Sequence, residues 1–162
     1  MTDAERTPDG RRWLLAASAA ALAAVATAFF AEYAAGLEPC SLCWLQRLLI
    51  GGVLLAALAG AALWPRGRWA LGLPLLALCA GGLAAAGRHL YILANPGQAG
   101  CGMSLGVMID TLPWYEALQE IVRGGGQCTE PAVFAGLPLP LWSLLGFALL
   151  AGLGLRAVAR GY

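Results

Sequence analysis

Charged residues are scarce in this sequence, and lysine is missing altogether. Charged side chains make up 12% of the 162 residues, and nine acidic residues nearly balance ten basic ones. Because there is no basic excess, the composition excludes a surface that holds nucleic acid through its phosphates. All ten basic residues are arginine, which in a chain rich in Ala, Gly and Leu indicates a GC-rich genome and no particular chemistry. The chain is instead 60% hydrophobic, with a mean hydropathy of +0.72, far more apolar than an ordinary soluble domain.

Long runs without any charge account for this apolar character. Four such runs contain 19, 18, 19 and 25 residues. A helix that crosses the ~30 Å hydrocarbon core needs ~20 residues, and its backbone groups must bond within the helix. We therefore predict an all-α membrane protein, a four-transmembrane-helix bundle that forms one domain over residues 1–162. Glycine pairs at 51–52 and 81–82 would permit close helix packing. The predicted spans are about 13–31, 42–63, 69–87 and 139–155.

The arginines indicate how the bundle lies in the membrane. With four spans both termini share one side, and by the positive-inside rule the arginine-rich side is cytoplasmic. The loops at about 32–41 and 88–138 then face outward. The first uncharged run is longer than the ~7–15 apolar residues of a signal-peptide core, so we expect it to be retained as a span. The arginines on the predicted cytoplasmic side are Arg6, Arg11, Arg12, Arg66, Arg68, Arg156 and Arg160.

Four of the five cysteines fall on the outward side, where disulfides are permitted. They are Cys40, Cys43, Cys101 and Cys128, whereas Cys79 lies within the third span and is interpreted as a small buried hydrophobe. Sequence alone does not fix the pairing, since four cysteines allow three arrangements. Structural disulfides would anchor the long second loop, but the close spacing of Cys40 and Cys43 is more often redox-active or metal-binding. A zinc site is a further alternative, although the loop carries no histidine.

The first cysteine pair opens the second span, in the stretch EPCSLCWLQR at 38–47. Pro39 suits the first position of a helix, so the two cysteines are expected in its first turns. A helix start favours negative charge, which stabilises a thiolate for disulfide exchange. Arg47 lies one helical turn beyond Cys43 on the same face, and an intramembrane charge indicates a functional partner. It either snorkels to a lipid phosphate or faces Cys43 and an anionic or carbonyl-bearing ligand, such as a membrane quinone.

Two further features lie on the outward side. His89, the only histidine, follows the third uncharged run at the level of the cysteine pair. It is either a polar residue at the interface or a group that bonds a quinone oxygen or relays a proton. In the second loop, the apolar residues of 114–123 recur at helical spacing, which predicts a short amphipathic helix that lies on the membrane surface or packs over the loop. Glycines 124–126 follow as a hinge that would let Cys128 change disulfide partners.

The whole pattern resembles the disulfide bond formation protein B (DsbB) family of bacterial inner-membrane thiol oxidases. The resemblance covers nearly the entire chain: four spans, Cys40-x-x-Cys43 at the outer end of the second, Arg47 four residues on, and a long second loop with two cysteines. The motifs GQCTEP around Cys128 and GLPLPLW before the fourth span also look like the family, as does the position of His89.

This resemblance implies a relay of disulfides from a soluble protein to a membrane quinone. A reduced periplasmic DsbA-type dithiol protein would attack a Cys101–Cys128 disulfide and form a mixed disulfide at Cys101. Cys128 would then exchange with Cys40 of a Cys40–Cys43 disulfide, and the freed Cys43 thiolate would pass electrons to ubiquinone or menaquinone. Arg47 would stabilise both the thiolate and the quinone. No residue is assigned to a metal.

Two alternatives stand beside this interpretation. A vitamin K epoxide reductase-like protein also combines a four-helix bundle with a C-x-x-C motif, but there the motif comes near the last helix, whereas here it opens the second span. The other alternative is a disulfide-stapled membrane scaffold or a zinc-bound assembly factor. We expect an oxidoreductase of the bacterial inner membrane, with both termini cytoplasmic and the cysteine loops periplasmic.

Overall fold

A computed structural model of the chain describes residues 8–34, 36–37, 39–64, 66, 68–99, 105–129 and 133–159. Two strands, β1 (Val133–Phe134) and β2 (Leu137–Pro138), form a small antiparallel hairpin just before the last helix. The helices of the described residues are α1 (Pro8–Tyr33), α2 (Ser41–Ala62), α3 (Arg68–Ala94), α4 (Leu105–Thr111), α5 (Trp114–Arg123) and α6 (Leu139–Ala159), with short 3-10 turns at Pro96–Gln98 and Gly126–Thr129.

Within the described residues, α1, α2, α3 and α6 are long and apolar enough to cross a membrane. The all-α membrane bundle predicted from the uncharged runs is therefore confirmed. The helices extend beyond those runs, because a helix can continue into charged residues once its end leaves the hydrocarbon core. At the cysteine end, α3 continues past Arg88 to Ala94, so His89 lies on a helix.

The four spanning helices enclose one apolar core. Helix α3 packs on α2 and α6, and α1 also packs on α2 and α6. Cys79 is fully buried in this core, which confirms its interpretation as a small hydrophobe. All four spanning helices contribute large side chains to this core: Leu14, Ile50, Val53, Leu75, Phe147 and Leu150.

The predicted glycine pairs differ in what they contact. A Cβ added at Gly82 would lie 2.2 Å from the ring of Phe147, and one at Gly52 would lie 3.1 Å from Leu78. Both positions allow a close approach between helices, as predicted. Gly81 is in ordinary contact range, with its added Cβ 3.7 Å from Leu49, and an added Cβ at Gly51 has no neighbour within 4 Å, so the prediction is wrong at Gly51.

Helix α2 begins at Ser41, two residues later than the start that Pro39 suggested. Cys40 is the N-cap, with extended backbone dihedrals of φ −71° and ψ 171°. Its carbonyl accepts the first intrahelical hydrogen bond from the amide of Trp44, at 3.1 Å. Pro39 therefore precedes the cap, where its missing N–H is also harmless.

The segment after α3 covers this end of the bundle. The amphipathic helix predicted over 114–123 is present as α5, which packs on α2 and buries Ala117. Its apolar residues Trp114, Leu118 and Val122 are about half exposed or more. The hairpin before α6 was not predicted, because two-residue strands are too short to show alternation. Its turn places Ala135 and Gly136 at φ 51° and φ 80°, as tight hairpins require.

Candidate functional site

The site begins at the first turn of α2, where Cys40 and Cys43 meet. Their sulfur atoms lie 3.3 Å apart. Cys40 is buried, whereas Cys43 is half-buried and lines a cavity inside the bundle. A residue at the N-cap and one three positions later project toward the same side of a helix. The predicted pair is therefore brought together, and both residues line the cavity, with Cys43 the more exposed of the two.

Cys128 reaches the same place from the loop. The 3-10 turn at Gly126–Thr129 buries Cys128 fully, with its Sγ 3.8 Å from the hydroxyl oxygen of Ser41 and within 4.8 Å of the Cys40 sulfur. A hydrogen bond with Cys40 and burial raise the pKa of the Cys128 thiol above its ordinary value. Cys128 is therefore packed against the start of α2 in surroundings that disfavour its thiolate.

Gly124 allows the loop to bring Cys128 close to Cys40. It ends α5 with φ +79°, a conformation that favours glycine. A Cβ at this position would lie 2.5 Å from Ile92 and 2.8 Å from Leu42, both of which are fully buried. Leu42 and Ile92 form a small apolar cluster with Cys40 and Cys128. Gly124, the first residue of the predicted hinge at 124–126, is therefore closely packed against Leu42 and Ile92.

His89 enters the cysteine cluster from α3. It is buried, and its Nε2 lies 3.8 Å from the sulfur of Cys40. Its Nδ1 has no hydrogen-bond partner among the described residues. The donor atoms of Cys40, His89 and Cys128 all lie within 4.8 Å of one another, a spacing that could also hold a metal ion. The loop carries no histidine, as noted from the sequence, but α3 supplies one to the cluster.

Arg47 lies one turn beyond Cys43, and α1 holds it. Its Nη2 donates a hydrogen bond of 2.9 Å to the carbonyl of Ala28, and its Nη1 donates to the carboxylate of Glu32. The guanidinium also lies over the rings of Phe29 and Trp44, at 5.2 and 5.4 Å from their centroids. These contacts keep the charge within the bundle, which favours the interpretation that Arg47 faces the interior over the snorkelling alternative.

A cavity of about 340 Å³ lies beside these residues, between α1, α2 and α6. Cys43 and Arg47 line it, and so do Cys40 and His89 at the cysteine end. The rest of the wall is mostly apolar, with small residues from α1 and leucines from α6. Cavities that bind small ligands are commonly about 300–1,000 Å³, mostly apolar with a few polar groups. The volume and lining of the cavity are therefore typical of a site for a small, mostly apolar ligand.

Five of the six predicted site residues thus meet at one end of the bundle: Cys40, Cys43, Cys128, Arg47 and His89. The sixth, Cys101, lies outside the described residues, and so does its predicted disulfide with Cys128.

Sequence reasoning missed two polar residues of the site. Glu32 forms an ion pair with Arg47. The sequence feature that could have indicated this residue is its position at the end of the first uncharged run. Gln46 lines the cavity. The sequence feature that could have indicated this residue is its three-residue spacing from Cys43, which places both residues on one helix face.

These features define a class of protein: a four-helix membrane protein whose clustered thiols adjoin an apolar cavity within the bundle. The family model for disulfide bond formation protein DsbB matches residues 10–157. The chain therefore belongs to the DsbB family, and is a multi-pass protein of the bacterial inner membrane and a disulfide-generating oxidoreductase. This membership argues against the vitamin K epoxide reductase-like alternative and against a purely structural scaffold.

Named relatives are similar over most of their length. A disulfide bond formation protein B from Alkalilimnicola ehrlichii is 45% identical, over 90% of this chain and 95% of that protein. One from Marinobacter nauticus is 41% identical, over 85% of each. A disulfide bond formation protein B 2 from Pseudomonas putida is 39% identical, over 91% of this chain and 90% of that protein. No solved structure shows a significant match to the chain.

Proposed function

We propose that this protein reoxidises a soluble periplasmic dithiol protein of the DsbA type and passes the electrons to a membrane quinone. The observation that most supports this proposal is the position of Cys40. Its sulfur lies 3.3 Å from Cys43, which lines the cavity, and within 4.8 Å of Cys128, which comes from the loop. One sulfur can therefore exchange with partners on both sides.

The distances from Cys40 to Cys43 and to Cys128 allow a thiol–disulfide exchange between the loop cysteine and the pair at the start of α2. When Cys40 and Cys43 are joined, a Cys128 thiolate attacks Cys40, the Cys128–Cys40 bond forms, and Cys43 leaves as a thiolate. The bond count and the electron count are unchanged, and the negative charge moves from the loop to the cavity wall. Cys128 would enter this step already as a thiolate, because it is the sulfur released when a partner thiolate attacks a Cys101–Cys128 disulfide. The ring of His89, within 4.8 Å of both sulfurs, lies beside the exchanging groups.

The residues around the cavity fit a quinone. Arg47 and His89 would hold its oxygens, because each carries polar hydrogens at the wall of a mostly apolar space. When bound, a quinone supplies an acceptor for two electrons and two protons. Of the two thiols that line this space, Cys43 is the more exposed, and it lies one helical turn from Arg47.

Cys101 would receive the soluble partner. Attack by a partner thiolate on a Cys101–Cys128 disulfide would form a mixed disulfide at Cys101 and release Cys128 for the next exchange. A second partner thiolate would then release oxidised partner and leave Cys101 as a thiolate. Attack of Cys101 on Cys128 of the Cys128–Cys40 disulfide would restore the Cys101–Cys128 bond and leave Cys40 and Cys43 reduced, so that their two electrons can pass to the quinone as the Cys40–Cys43 disulfide forms again. Each cycle would move two electrons and two protons from the dithiol protein to the quinone.

The test is quinone reduction by the purified protein in detergent, with a reduced thioredoxin-fold periplasmic dithiol protein as donor. We expect quinol formation by the wild type and by Cys79→Ala, because Cys79 lies in the core away from the site. Cys43→Ser and Cys101→Ser should abolish it, and Arg47→Ala should raise the KM for quinone. Folded, oxidised wild-type protein that reduces no quinone with any dithiol donor would refute the proposal.

A further inference from the structure

Gln46 places a side-chain amide inside the bundle, and its nitrogen lacks a hydrogen-bond partner in the described part of the chain. The residue is 4% exposed, and its Nε2 has no hydrogen-bond partner among the described residues. Buried polar groups are almost always paired, because an unpaired amide forfeits the hydrogen bonds that it made to water. A native fold keeps such a group when something outside the chain completes it. The unpaired N–H therefore indicates a missing ligand.

The position of Gln46 indicates where that ligand lies. Gln46 lines the cavity and follows Cys43 by three residues on α2, so the two share one helix face. Ile50, which also lines the cavity, continues this face by a further turn. The wall around them is mostly apolar, so an oxygen-bearing ligand would find few competing donors there.

Two other polar residues on this wall, Arg47 and His89, make contacts, although the Nδ1 of His89 also has no hydrogen-bond partner among the described residues. The two terminal nitrogens of the Arg47 guanidinium donate to Glu32 and to the carbonyl of Ala28. The Nε2 of His89 lies against the sulfur of Cys40. Gln46 differs from both because it is neutral and its amide nitrogen has no contact of this kind within the described chain.

We propose that Gln46 is a ligand-binding residue that donates a hydrogen bond from Nε2 to a ring oxygen of the quinone in the cavity. This inference rests on the proposed quinone-dependent function and adds a residue to its binding site. A carboxamide suits such a ligand, because it can donate to a carbonyl oxygen of the oxidised ring and accept from a hydroxyl of the reduced ring. It does so without adding charge to an apolar site.

The test compares Gln46→Met with Gln119→Met. Methionine keeps a similar length but has no amide, and Gln119 is an exposed glutamine on α5 that offers the same change away from the cavity. Binding of decyl-ubiquinone and of a short-chain menaquinone analogue to the quinone-depleted protein would be measured by tryptophan fluorescence quenching. We expect Gln46→Met to weaken the Kd about threefold to tenfold, the range for one lost hydrogen bond. Gln119→Met should bind like the wild type.

Two further readouts separate binding from folding. The KM for quinone should rise in Gln46→Met while the KM for the dithiol protein stays unchanged. Without quinone, the Tm of Gln46→Met should equal or exceed that of the wild type, because the substitution removes an unpaired buried amide. The rise in Tm on adding quinone should be smaller than in the wild type. Gln46→Leu serves as a second apolar variant if Gln46→Met does not fold.

The outcomes distinguish this inference from the function on which it rests. Wild-type and variant proteins that bind quinone equally would overturn the role of Gln46 and leave the proposed function standing. A lower Tm without quinone, combined with unchanged Kd, would make Gln46 a structural residue and also overturn the inference. Wild-type protein that binds neither quinone would overturn both.

Discussion

Arg47 of α2 donates a hydrogen bond to the carboxylate of Glu32 on α1, beside the cavity and one turn beyond Cys43. The two side chains are only 13% and 22% exposed. A charge buried within the bundle is costly when it has no partner. Each of the two side chains therefore makes the burial of the other tolerable. The pair joins the first two spanning helices and fixes the guanidinium at the cavity wall.

We expect Glu32→Gln to lower the free energy of unfolding by about 1–3 kcal/mol, because a buried cation loses its charged acceptor. The measurement is denaturant unfolding in mixed micelles. Glu116→Gln is the matched control, since Glu116 is exposed on α5, and it should change stability by less than about 0.5 kcal/mol. Equal losses in the two variants would show that the Glu32 contact contributes nothing specific.

The Cys128 thiol should react unusually slowly near neutral pH. Its pKa is raised by a hydrogen bond with Cys40 and by burial, so the reactive thiolate stays rare through pH 9. In fully reduced protein, we expect its alkylation rate to keep rising about tenfold per pH unit from 7 to 9, followed by mass spectrometry. In the denatured chain the rate should level off near the ordinary thiol pKa of about 8.5. A plateau near pH 8.5 in the folded protein would contradict this.

The same raised pKa has a consequence for stability. Because the thiol of the unfolded chain ionises at lower pH than the folded one, the Cys128 contribution is fully present below about pH 8.5. It should decrease as the pH rises further. Cys128→Ala in reduced protein should therefore flatten the stability profile between about pH 8.5 and 10, measured as unfolding midpoints in the same micelles. An unchanged slope would show that Cys128 titrates normally.

Gly82→Ala should destabilise the bundle by about 1–3 kcal/mol, because the new methyl group would overlap the ring of Phe147. Gly51→Ala makes the same change on α2, where an added Cβ has no neighbour within 4 Å. We expect no loss of stability there. Thermal unfolding in detergent would compare the two variants. Equal destabilisation would show that the close approach of Gly82 to Phe147 is not the cause of the loss.

Zinc content separates a redox cluster from a metal centre. Although the donor atoms of Cys40, His89 and Cys128 lie within 4.8 Å of one another, we expect substoichiometric zinc by elemental analysis in protein purified without reductant. Disulfide exchange uses the same sulfurs and needs them free. One zinc per chain, lost in His89→Ala and held by reduced thiols, would contradict the redox interpretation.

The sequence by itself determined the spanning helices and the cysteine pair. Uncharged runs of about 20 residues leave a chain no other way to satisfy its backbone in lipid, so the bundle follows from composition. The spacing of Cys40 and Cys43, and that of Cys43 and Arg47, lies within one or two turns of a single helix. Such contacts depend only on helix geometry and can be predicted from position.

Only the tertiary structure decided the rest of the site. The contact of Arg47 with Glu32 joins residues 15 positions apart, and that of Cys40 with His89 joins residues 49 apart. Cys128 reaches Cys40 because Gly124 adopts a left-handed conformation against Leu42 and Ile92. No helical period specifies such contacts. They arise from how the helices pack, and that packing decides which polar groups face the cavity and which of them remain unpaired.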